Sequence, residues 1–410
     1  MNESKNRREF LQAARGLGLG TLALGVGVES ARGFSANDTI HIGAIGTGGR
    51  CLRLMRNLKQ LPSVRLTAVC DIYDANLAEA KKIAEPNAFA TKHYPELLAR
   101  TDVDAVVIAS PDHWHVPMTI AACEAGKDVY VEKPLTHNLA EGEPVIEAVN
   151  RTERIVQVGM QQRSTPQIIR AREKFTSGQI GTVSKVHLTW NRNQGIGRPN
   201  YQIDPKTLDW KAFLGNAPDQ PFDPYRFRSW RWFWDFGGGI LTDLMVHHLD
   251  VVHWFFESDQ PALATAMGHN YNSGELWETP DTIHCLLDYP DKKYQVYFEG
   301  TFSNSRNRAM IELMGSDATL YMDRGWYEIF PEQKGVKHEK WGPGSDERRG
   351  LDFYKNPDGG MIHLANWLDC IRTGKQPNCT VEDGVRAAAG AHLGNRAYRS
   401  GKLVRRSTAP

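Results

Sequence analysis

The sequence predicts an α/β protein in which an N-terminal parallel sheet, covered by helices, precedes an α+β domain with a large, mostly antiparallel open sheet. Between residues 39 and 163, strand and helix patterns alternate, which is typical of parallel sheets. Beyond residue 164 the alternation stops, and strand patterns follow one another between Pro, Gly, Asn and Asp turns. A chain of 410 residues is also longer than a single hydrophobic core usually accommodates, which favours two domains.

We expect four segments along the chain. Residues 1–36 form a signal segment, 37–163 the domain with the parallel sheet, 164–360 a substrate and oligomerisation domain, and 361–410 helices that pack back on the first domain. The 49 basic and 48 acidic residues give a net charge of +1, which provides no electrostatic footprint for nucleic acid. Six scattered cysteines without metal-ligand spacing predict no metal site.

The first 36 residues predict a twin-arginine export signal. Arg7 and Arg8 precede a glycine-rich apolar run, residues 17–28, and a small-residue region suited to cleavage. The run is too short and too rich in glycine to span a bilayer, so we expect no stable membrane insertion after the signal is removed. The alternative is a frayed basic N-terminus with a chance arginine pair. Export by this route predicts a periplasmic protein in a Gram-negative cell.

A glycine-rich turn, GTGGRC at residues 46–51, follows the first predicted strand and opens a predicted helix. Gly46 allows the tight turn, and Gly48 lets backbone amides approach a pyrophosphate at the helix N-terminus. Gly49 and Arg50 lie beside that site. Cys51 replaces the third glycine of the GxGxxG pattern, where a small side chain can still permit close helix packing. The turn therefore predicts a Rossmann domain that binds a dinucleotide.

Asp71 ends the second predicted strand, residues 65–70. A carboxylate at this strand tip can accept hydrogen bonds from the adenosine ribose and would repel a 2′-phosphate. Asp71 therefore favours NAD over NADP.

Two further strand ends carry candidate site residues, because segments that leave the carboxyl ends of parallel strands line the ligand crevice. After residues 105–109 the chain reads SPDHWH, where we expect Ser110 at the cofactor and Trp114 at the substrate, with His115 as a further site candidate. After residues 128–131 it reads EKP. Glu132 is expected to position backbone and cofactor, and Lys133 to lie beside the hydride-transfer centre.

In the second half, Gly237, Gly238 and Gly239 precede a helix predicted over residues 240–256. Asp243 and His247 lie one turn apart on one face, so the carboxylate can orient the imidazole as a general base requires. A surface pair contributing only a few tenths of a kcal/mol is the alternative. The bare glycine backbone favours close ligand approach. Strands are expected at residues 183–192, 263–271, 282–288, 294–302, 308–314 and 319–322.

Aromatic and basic side chains precede the triple glycine in RSWRWFWDFGGG. Trp230 and Trp232 suit stacking on a sugar ring, and packing in the core or at a subunit contact is an equal alternative. Arg163 is a further candidate for substrate contact.

These motifs, in this order and at compatible intervals, resemble the glucose-fructose oxidoreductase and inositol dehydrogenase family, Gfo/Idh/MocA, over nearly all of the mature chain. The resemblance implies that Gly46, Gly48, Asp71 and His115 bind the cofactor and that Lys133 is the lysine of the EKP-type motif. It also implies that Asp243 and His247 act at the reacting hydroxyl, that the substrate is a small sugar or glycoside, and that the protein is a homodimer or homotetramer.

Export and a nicotinamide cofactor conflict, because no free NAD pool exists outside the cytoplasm. A captive cofactor that returns to its starting oxidation state in each cycle would reconcile them. We therefore expect an NAD-dependent oxidoreductase acting on a sugar, polyol or glycoside hydroxyl. The alternatives are an NAD-dependent, redox-assisted glycoside hydrolase or lyase, and a sensor without activity. The chain lacks the Tyr-Pro-Thr-His type sequence expected of the best-known hydrolase branch.

Overall fold

Six parallel strands form the first sheet of the computed structural model, which describes residues 39–343 and 358–406. Their order is β3-β2-β1-β4-β5-β6, and the chain reverses its direction of travel across the sheet between β3 and β4. The predicted parallel sheet is confirmed, except that the short third strand was not expected. The predicted signal segment lies outside the described residues. The strands are β1 Ile40–Ile45, β2 Val64–Cys70, β3 Phe89–Thr91, β4 Ala105–Ile108, β5 Asp128–Val131 and β6 Val156–Val158.

Helices cover both faces of the first sheet. Alternate residues of a strand point to opposite faces, so Ile42 of β1 packs in one core cluster while Ile45 packs in another. The strands are buried on both sides and therefore have nearly continuous apolar sequences. The helices along this half are α1 Gly49–Leu58, α2 Asp74–Ile83, α3 Tyr94–Leu98, α4 His115–Glu124, α5 Gly142–Thr152 and α6 Pro166–Thr176.

Nine strands form the second sheet, in the order β14-β13-β12-β11-β7-β10-β9-β8-β15. Only the β10 and β7 pair is parallel, which confirms the mostly antiparallel sheet. The last three strands in chain order were not predicted. The strands are β7 Val183–Asn191, β8 Leu263–His269, β9 Thr282–Tyr289, β10 Tyr294–Thr301, β11 Ala309–Gly315, β12 Ala318–Met322, β13 Tyr327–Pro331, β14 Glu339–Trp341 and β15 Val404–Arg405.

The helix expected over residues 240–256 has two parts. Leu241–Met245 is a π-helical turn, and α9, Val246–Phe256, continues from it as a regular α-helix. A π-turn bonds residue i to residue i+5, so it widens the helix and changes which side chains share a face. Two short helices precede this segment, α7 Trp210–Leu214 and α8 Pro224–Arg228.

Two C-terminal helices, α10 Gly359–Thr373 and α11 Val381–Ser400, occupy the segment expected to be helical. Trp367 of α10 packs against Tyr130 of the first sheet, with ring centroids 5.8 Å apart. A Cβ at Gly384 of α11 would lie 2.6 Å from Val158, and one at Gly394 would lie 2.9 Å from Cys285 of the second sheet. Helix α11 therefore packs against both sheets. Among the described residues, none of the helices combines the length and apolar character needed to cross a bilayer.

Gly239 permits the entry into the π-turn. It has φ +65°, and a Cβ there would lie 2.6 Å from the Cβ of Thr279. Gly178 also has a positive φ, +77°, but a Cβ there would meet no atom within 4 Å. Of these two glycines, only Gly239 combines a backbone conformation unfavourable for other residues with a steric clash.

We expect Gly239→Ala to lower the free energy of unfolding by about 2 kcal/mol or more, and Gly178→Ala by about 1 kcal/mol. Denaturant unfolding of the two variants measures the difference. Equal losses would contradict the role given to Thr279.

Candidate active site

The glycine turn between β1 and α1 forms an open cradle. A Cβ at Gly46, which has φ +72°, would lie 2.7 Å from the Ser110 backbone, so only glycine fits there. A Cβ at Gly48 would meet only the Asn76 amide, at 4.0 Å, and one at Gly49 would meet nothing within 4 Å. Bare backbone therefore faces a cleft of about 300 Å³ at the helix N-terminus, as a pyrophosphate requires.

Asp71 lies at the end of β2 on the wall of this cleft. The Tyr73 N–H donates to its Oδ1 at 2.9 Å, and Asn76 and Thr47 donate to its Oδ2 at 3.2 and 3.3 Å. Burial raises the pKa of Asp71 to about 6 although these donors oppose the shift. The carboxyl group is thus fixed where a ribose hydroxyl could donate to it.

Arg50 and Glu132 form an ion pair at the inner end of the cleft. The Arg50 Nη2 and Nε lie 2.7 and 2.8 Å from Oε1 of the buried Glu132, which also accepts from Gln161 at 3.2 Å. Glu132 therefore holds the guanidinium beside the glycine turn, and its expected role in positioning backbone and cofactor stays a prediction. The side-chain hydroxyl of Ser110 is buried there without a hydrogen-bond partner among the described residues, so it can bond a cofactor.

A second cavity of about 410 Å³ adjoins the cofactor cleft. The two spaces share Arg50, Ala109, Ser110, Trp230 and Arg231, so they are continuous. The second cavity is lined by Asp112, His115, Glu132, Lys133, Gln161, Trp190, Arg192, Gln194, Trp232, Asp243, Leu244, His247 and Arg324 in addition to the five shared residues. We call this space the catalytic cavity. It brings together the three residues proposed for chemistry, Lys133, Asp243 and His247.

Lys133 reaches across from the end of β5 to the π-turn. Its Nζ donates to the Asp243 backbone oxygen at 2.5 Å and to Oδ1 at 2.7 Å, and Arg231 Nε donates to the same Oδ1 at 3.2 Å. Burial alone would raise the pKa of Asp243, but the charges of Lys133 and Arg231 outweigh it and hold the pKa below its usual range. Asp243 is therefore an anion that fixes both cations.

The expected pairing of Asp243 with His247 is wrong. The carboxylate bonds Lys133 and Arg231, and the His247 Nδ1 is buried without a partner among the described residues. The π-turn explains the error, since positions four apart no longer share a face. His247 instead stacks on Trp190, with ring centroids 5.4 Å apart. Burial, followed by the nearby charge of Lys133, lowers the pKa of His247 well below its ordinary value, so the imidazole is neutral at pH 7.

His115 and Trp114 line different parts of the site. The two ring nitrogens of His115 lie 2.7 Å from the Pro134 carbonyl oxygen and 2.9 Å from that of Ser110, so the ring ties two strand-end segments together. His115 lines the catalytic cavity rather than the cofactor cleft. Trp114, expected at the substrate, lines the cofactor cleft and donates to the Phe213 carbonyl at 2.9 Å. The expected position of Trp114 at the substrate is therefore corrected, and the expected contact of His115 with the cofactor stays a prediction.

The two tryptophans before the triple glycine differ from each other. Trp230 lines both the cofactor cleft and the catalytic cavity, and the Arg231 guanidinium lies 4.1 Å from its ring centroid. Trp232 lines the catalytic cavity but also stacks on Trp277, with centroids 4.3 Å apart. Trp232 therefore combines a core contact with an edge that faces the cavity.

Arg163 does not reach either cavity, which corrects the expectation of substrate contact. Its Nε lies 2.9 Å from both carboxylate oxygens of Asp250, and its Nη1 lies 2.9 Å from Asp383. The Arg163 side chain is 5% exposed, and Asp250 is fully buried. These groups form a buried ion pair that joins α9 to the start of α11. Arg163 is a structural residue.

Asp112 is a cavity residue that was not predicted from the sequence. It begins the turn before α4, is buried, and lines the catalytic cavity near Lys133. Burial raises its pKa well above the usual range, against the opposing charge of Lys133. Its place directly after the β4 end could have identified it, because that segment supplied the other candidates.

Within the described parts of the chain, no group of three or more His, Cys, Asp or Glu side chains is arranged to hold a metal ion. All six cysteines are buried and unpaired.

Comparisons with known proteins agree with this geometry. Residues 40–160 match a family model described as an oxidoreductase family with an NAD-binding Rossmann fold, and residues 172–405 match the corresponding C-terminal alpha/beta domain. The chain is 30% identical to an inositol 2-dehydrogenase of Gluconacetobacter diazotrophicus over 54% of its own length and 56% of that protein.

Two further matches are a curated relative of another enzyme class and a solved structure. A glycosyl hydrolase family 109 protein of Solibacter usitatus is 34% identical over 37% of the chain and 38% of that protein. The chain therefore spans about half or less of these two curated relatives. The structure of a levoglucosan dehydrogenase in complex with NADH and levoglucosan superposes with a TM-score of 0.70 at 18% identity, covering 90% of this chain and 99% of that chain. This likeness shows a shared fold.

We expect NAD affinity to fall about fivefold between pH 7.5 and pH 5. Burial raises the pKa of Asp71 to about 6, so the carboxylate becomes protonated in this range and accepts weaker hydrogen bonds from the ribose. Isothermal titration with NAD at several pH values measures the effect. Asp71→Asn should bind NAD more weakly at pH 7.5 and lose the pH dependence, and an unchanged pH profile in that variant would contradict the assignment.

Proposed function

Because the chain belongs to the Gfo/Idh/MocA family of oxidoreductases, we propose that it uses NAD to oxidise or reduce a hydroxyl-bearing carbon of a sugar, polyol or glycoside. One observation supports this proposal above the others. Lys133, Asp243 and His247 line a single cavity, which opens into the cleft beside the glycine turn. The inositol 2-dehydrogenase among the relatives is named for a polyol substrate, which suits the same substrate class.

The residues of the cleft fit NAD. The bare backbone at Gly48 and Gly49 provides room for a pyrophosphate, and Asp71 provides an acceptor for the ribose. The buried hydroxyl of Ser110 lies where the cleft meets the catalytic cavity. When bound, NAD supplies the acceptor or donor of a hydride. The protein must then position the sugar carbon and move one proton.

Lys133 positions the reacting oxygen. An ammonium group has three hydrogens, and the two contacts to Asp243 use two of them. The third can donate to a substrate oxygen in the cavity. Asp243 holds Nζ in place, and the buried surroundings strengthen each of these charge-assisted hydrogen bonds.

His247 exchanges the proton with the substrate hydroxyl. Its Nδ1 is buried, which leaves Nε2 as the ring nitrogen that can reach the cavity. During oxidation the hydroxyl proton passes to Nε2 as the carbon loses hydride. The pKa of His247 lies well below its ordinary value, mainly through burial, so the imidazole is neutral and able to accept this proton.

A second candidate function is redox-assisted hydrolysis of a glycoside. The match to glycosyl hydrolase family 109 proteins favours it. Transient oxidation of a glycoside hydroxyl makes the neighbouring C–H acidic, so the aglycone can be eliminated and water added. The bound NAD would then return to its starting state within each cycle.

Residues 1–36 support a proposal about location. We propose export by the twin-arginine route to the periplasm of a Gram-negative cell. Because this route carries folded proteins, NAD can be loaded before export. A captive cofactor fits the hydrolase reaction directly, and it fits the oxidoreductase when oxidation of one sugar is coupled to reduction of another.

We also propose that the protein is a homodimer or homotetramer that associates through the open face of the second sheet. Met267, Tyr271 and Leu286 on or beside β8 and β9 are 80%, 72% and 48% exposed. Large apolar side chains on an open sheet face suit burial against another copy.

The purified protein can distinguish these functions. Nucleotide released by denaturation identifies the cofactor, and a panel of sugars and glycosides is then tested without added NAD. A ketone product and reduced bound nucleotide support the oxidoreductase. Release of the aglycone without net change in the nucleotide supports the hydrolase. Sugar binding without any product would exclude both enzymatic functions and support a sensor.

We expect Lys133→Met to reduce turnover by about 100-fold or more while NAD binding is retained, because the reacting oxygen loses its charged donor. The matched control is Lys81→Met, since Lys81 is an exposed lysine of α2. Steady-state kinetics and NAD titration of both variants measure the effects. Turnover near the unsubstituted level in Lys133→Met would refute the assignment.

A further inference from the structure

Asp112 has a buried carboxyl group that faces the catalytic cavity without a partner from the protein. It is the first residue of a short 3₁₀ turn after β4, Asp112–Trp114, and it is only 3% exposed. Its side chain lines the catalytic cavity, and its carboxyl group makes no hydrogen bond or ion pair with any residue that the structure describes. Buried polar groups are rarely left without a partner. This carboxyl group is therefore available to a bound molecule.

Two other carboxyl groups around the site are held by donors. Asp243 accepts from Lys133 and Arg231, and Asp71 accepts from three donors of its own. The Asp112 carboxyl accepts from none of the described residues, and buried surroundings without donors disfavour an anion. Burial raises the pKa of Asp112 well above the usual range, and the charges of Lys133 and Arg231 oppose this rise without cancelling it. The surroundings of Asp112 therefore favour a neutral carboxylic acid.

The chemistry and the location of Asp112 both suit a substrate hydroxyl. A neutral carboxylic acid has one O–H donor and retains acceptor positions, so it can donate to one hydroxyl oxygen and accept from another hydroxyl. The cofactor does not account for Asp112, because this residue lines the catalytic cavity and not the cleft that contains Gly48 and Asp71. A sugar or polyol supplies the hydroxyl groups that match it.

Asp112 and Lys133 leave the same edge of the first sheet side by side. Strands β4 and β5 pair in parallel, with Ile108 opposite Val131, and they end four residues before Asp112 and two residues before Lys133. Neighbouring strands lie about 4.8 Å apart. Of the charges that act on Asp112, that of Lys133 has the largest effect. An oxygen bound by Asp112 would thus belong to a carbon close to the one whose oxygen Lys133 holds.

We propose that Asp112 binds a second hydroxyl group of the substrate, on the carbon next to the one that is oxidised. The substrate is therefore a vicinal diol within a sugar, polyol or glycoside, and Asp112 determines which of its carbons faces the nicotinamide. This inference rests on the proposed function and specifies its substrate class. The contact serves both directions of the reaction, because the second hydroxyl is unchanged when the first is oxidised.

Monodeoxy sugars test the contact on the holoenzyme. D-Glucose, D-galactose and myo-inositol are compared with their monodeoxy analogues by kcat/KM, in the unsubstituted protein and in Asp112→Ala. We expect the loss of one particular hydroxyl to reduce kcat/KM about tenfold or more in the unsubstituted protein and to have little further effect in Asp112→Ala. Equal losses in the two proteins at every position would overturn the proposal.

Two replacements of Asp112 separate hydrogen bonding from charge. Asp112→Asn keeps a donor and an acceptor of similar size and should lose no more than about threefold in kcat/KM, whereas Asp112→Ala should lose about tenfold or more. Asp219→Ala is the matched control, since Asp219 is exposed and lines neither the cofactor cleft nor the catalytic cavity, and it should keep its kcat/KM. Equal losses in Asp112→Asn and Asp112→Ala, or an intact value in Asp112→Ala, would contradict the proposal.

Stability and cofactor binding separate a substrate contact from other roles. A buried carboxyl group without donors does not stabilise the fold, so the Tm of Asp112→Ala without substrate should equal or exceed that of the unsubstituted protein. The affinity for NAD, measured by calorimetry, should be unchanged. A lower Tm would assign Asp112 a structural role, and weaker NAD binding would assign it to the cofactor. Either result would overturn the proposal.

The two proposals fail in different ways. If a sugar exchanges hydride with the bound nucleotide but no deoxy position depends on Asp112, only the second contact is wrong. If no sugar exchanges hydride, the proposed function is wrong, and calorimetric binding of the same deoxy series to both proteins still decides whether Asp112 binds a hydroxyl.

Discussion

The ion pair between Lys133 and Asp243 is the interaction on which the site depends. It joins the end of a strand in the first sheet to a π-turn that precedes α9, across 110 positions of sequence. Both side chains are nearly buried, at 11% and 14% exposure. Loss of Asp243 would leave the Lys133 and Arg231 cations without their shared carboxylate in a poorly solvated place, which is strongly unfavourable. The pair therefore fixes the relative position of the two halves at the cavity and orients the ammonium group.

The other residues of the site lie at the ends of strands. Parallel strands β1, β2, β4 and β5 deliver Gly46, Asp71, Ser110 and Lys133 to one edge of the first sheet. The ends of β7, β11 and β12 meet at one edge of the second sheet and carry arginines. Between these edges lies a continuous space from the glycine turn to Arg324. One surface can therefore bind a cofactor and hold a reacting carbon.

Much of the fold could be predicted from local patterns. The first strand, predicted over residues 40–45, and the fifth, predicted over residues 128–131, have the observed bounds, because apolar runs end clearly at Gly or at charged residues. The short strands β3, β14 and β15 contain three, three and two residues. Such lengths are too short to show alternation, and their pairing is decided by tertiary contacts.

Site residues that belong to a backbone motif could be predicted from the sequence. The contacts that individual side chains make with distant partners could be predicted less well. Lys133 and His247 were assigned to one cavity, in which the structure places them. The pairing of Asp243 was missed because sequence does not reveal a π-turn in a helical pattern. Arg163 was misassigned because its partners Asp250 and Asp383 are far away in sequence.

The central claim is that one substrate oxygen lies between the amine of Lys133 and the imidazole of His247, with its carbon facing the nicotinamide. A crystal structure of the protein with NADH and a sugar it turns over is the most direct measurement. We predict that this oxygen lies within hydrogen-bond distance of both Lys133 Nζ and His247 Nε2, and that Lys133 still contacts Asp243. A sugar bound with its reacting carbon at the nicotinamide and neither side chain within reach would contradict the account.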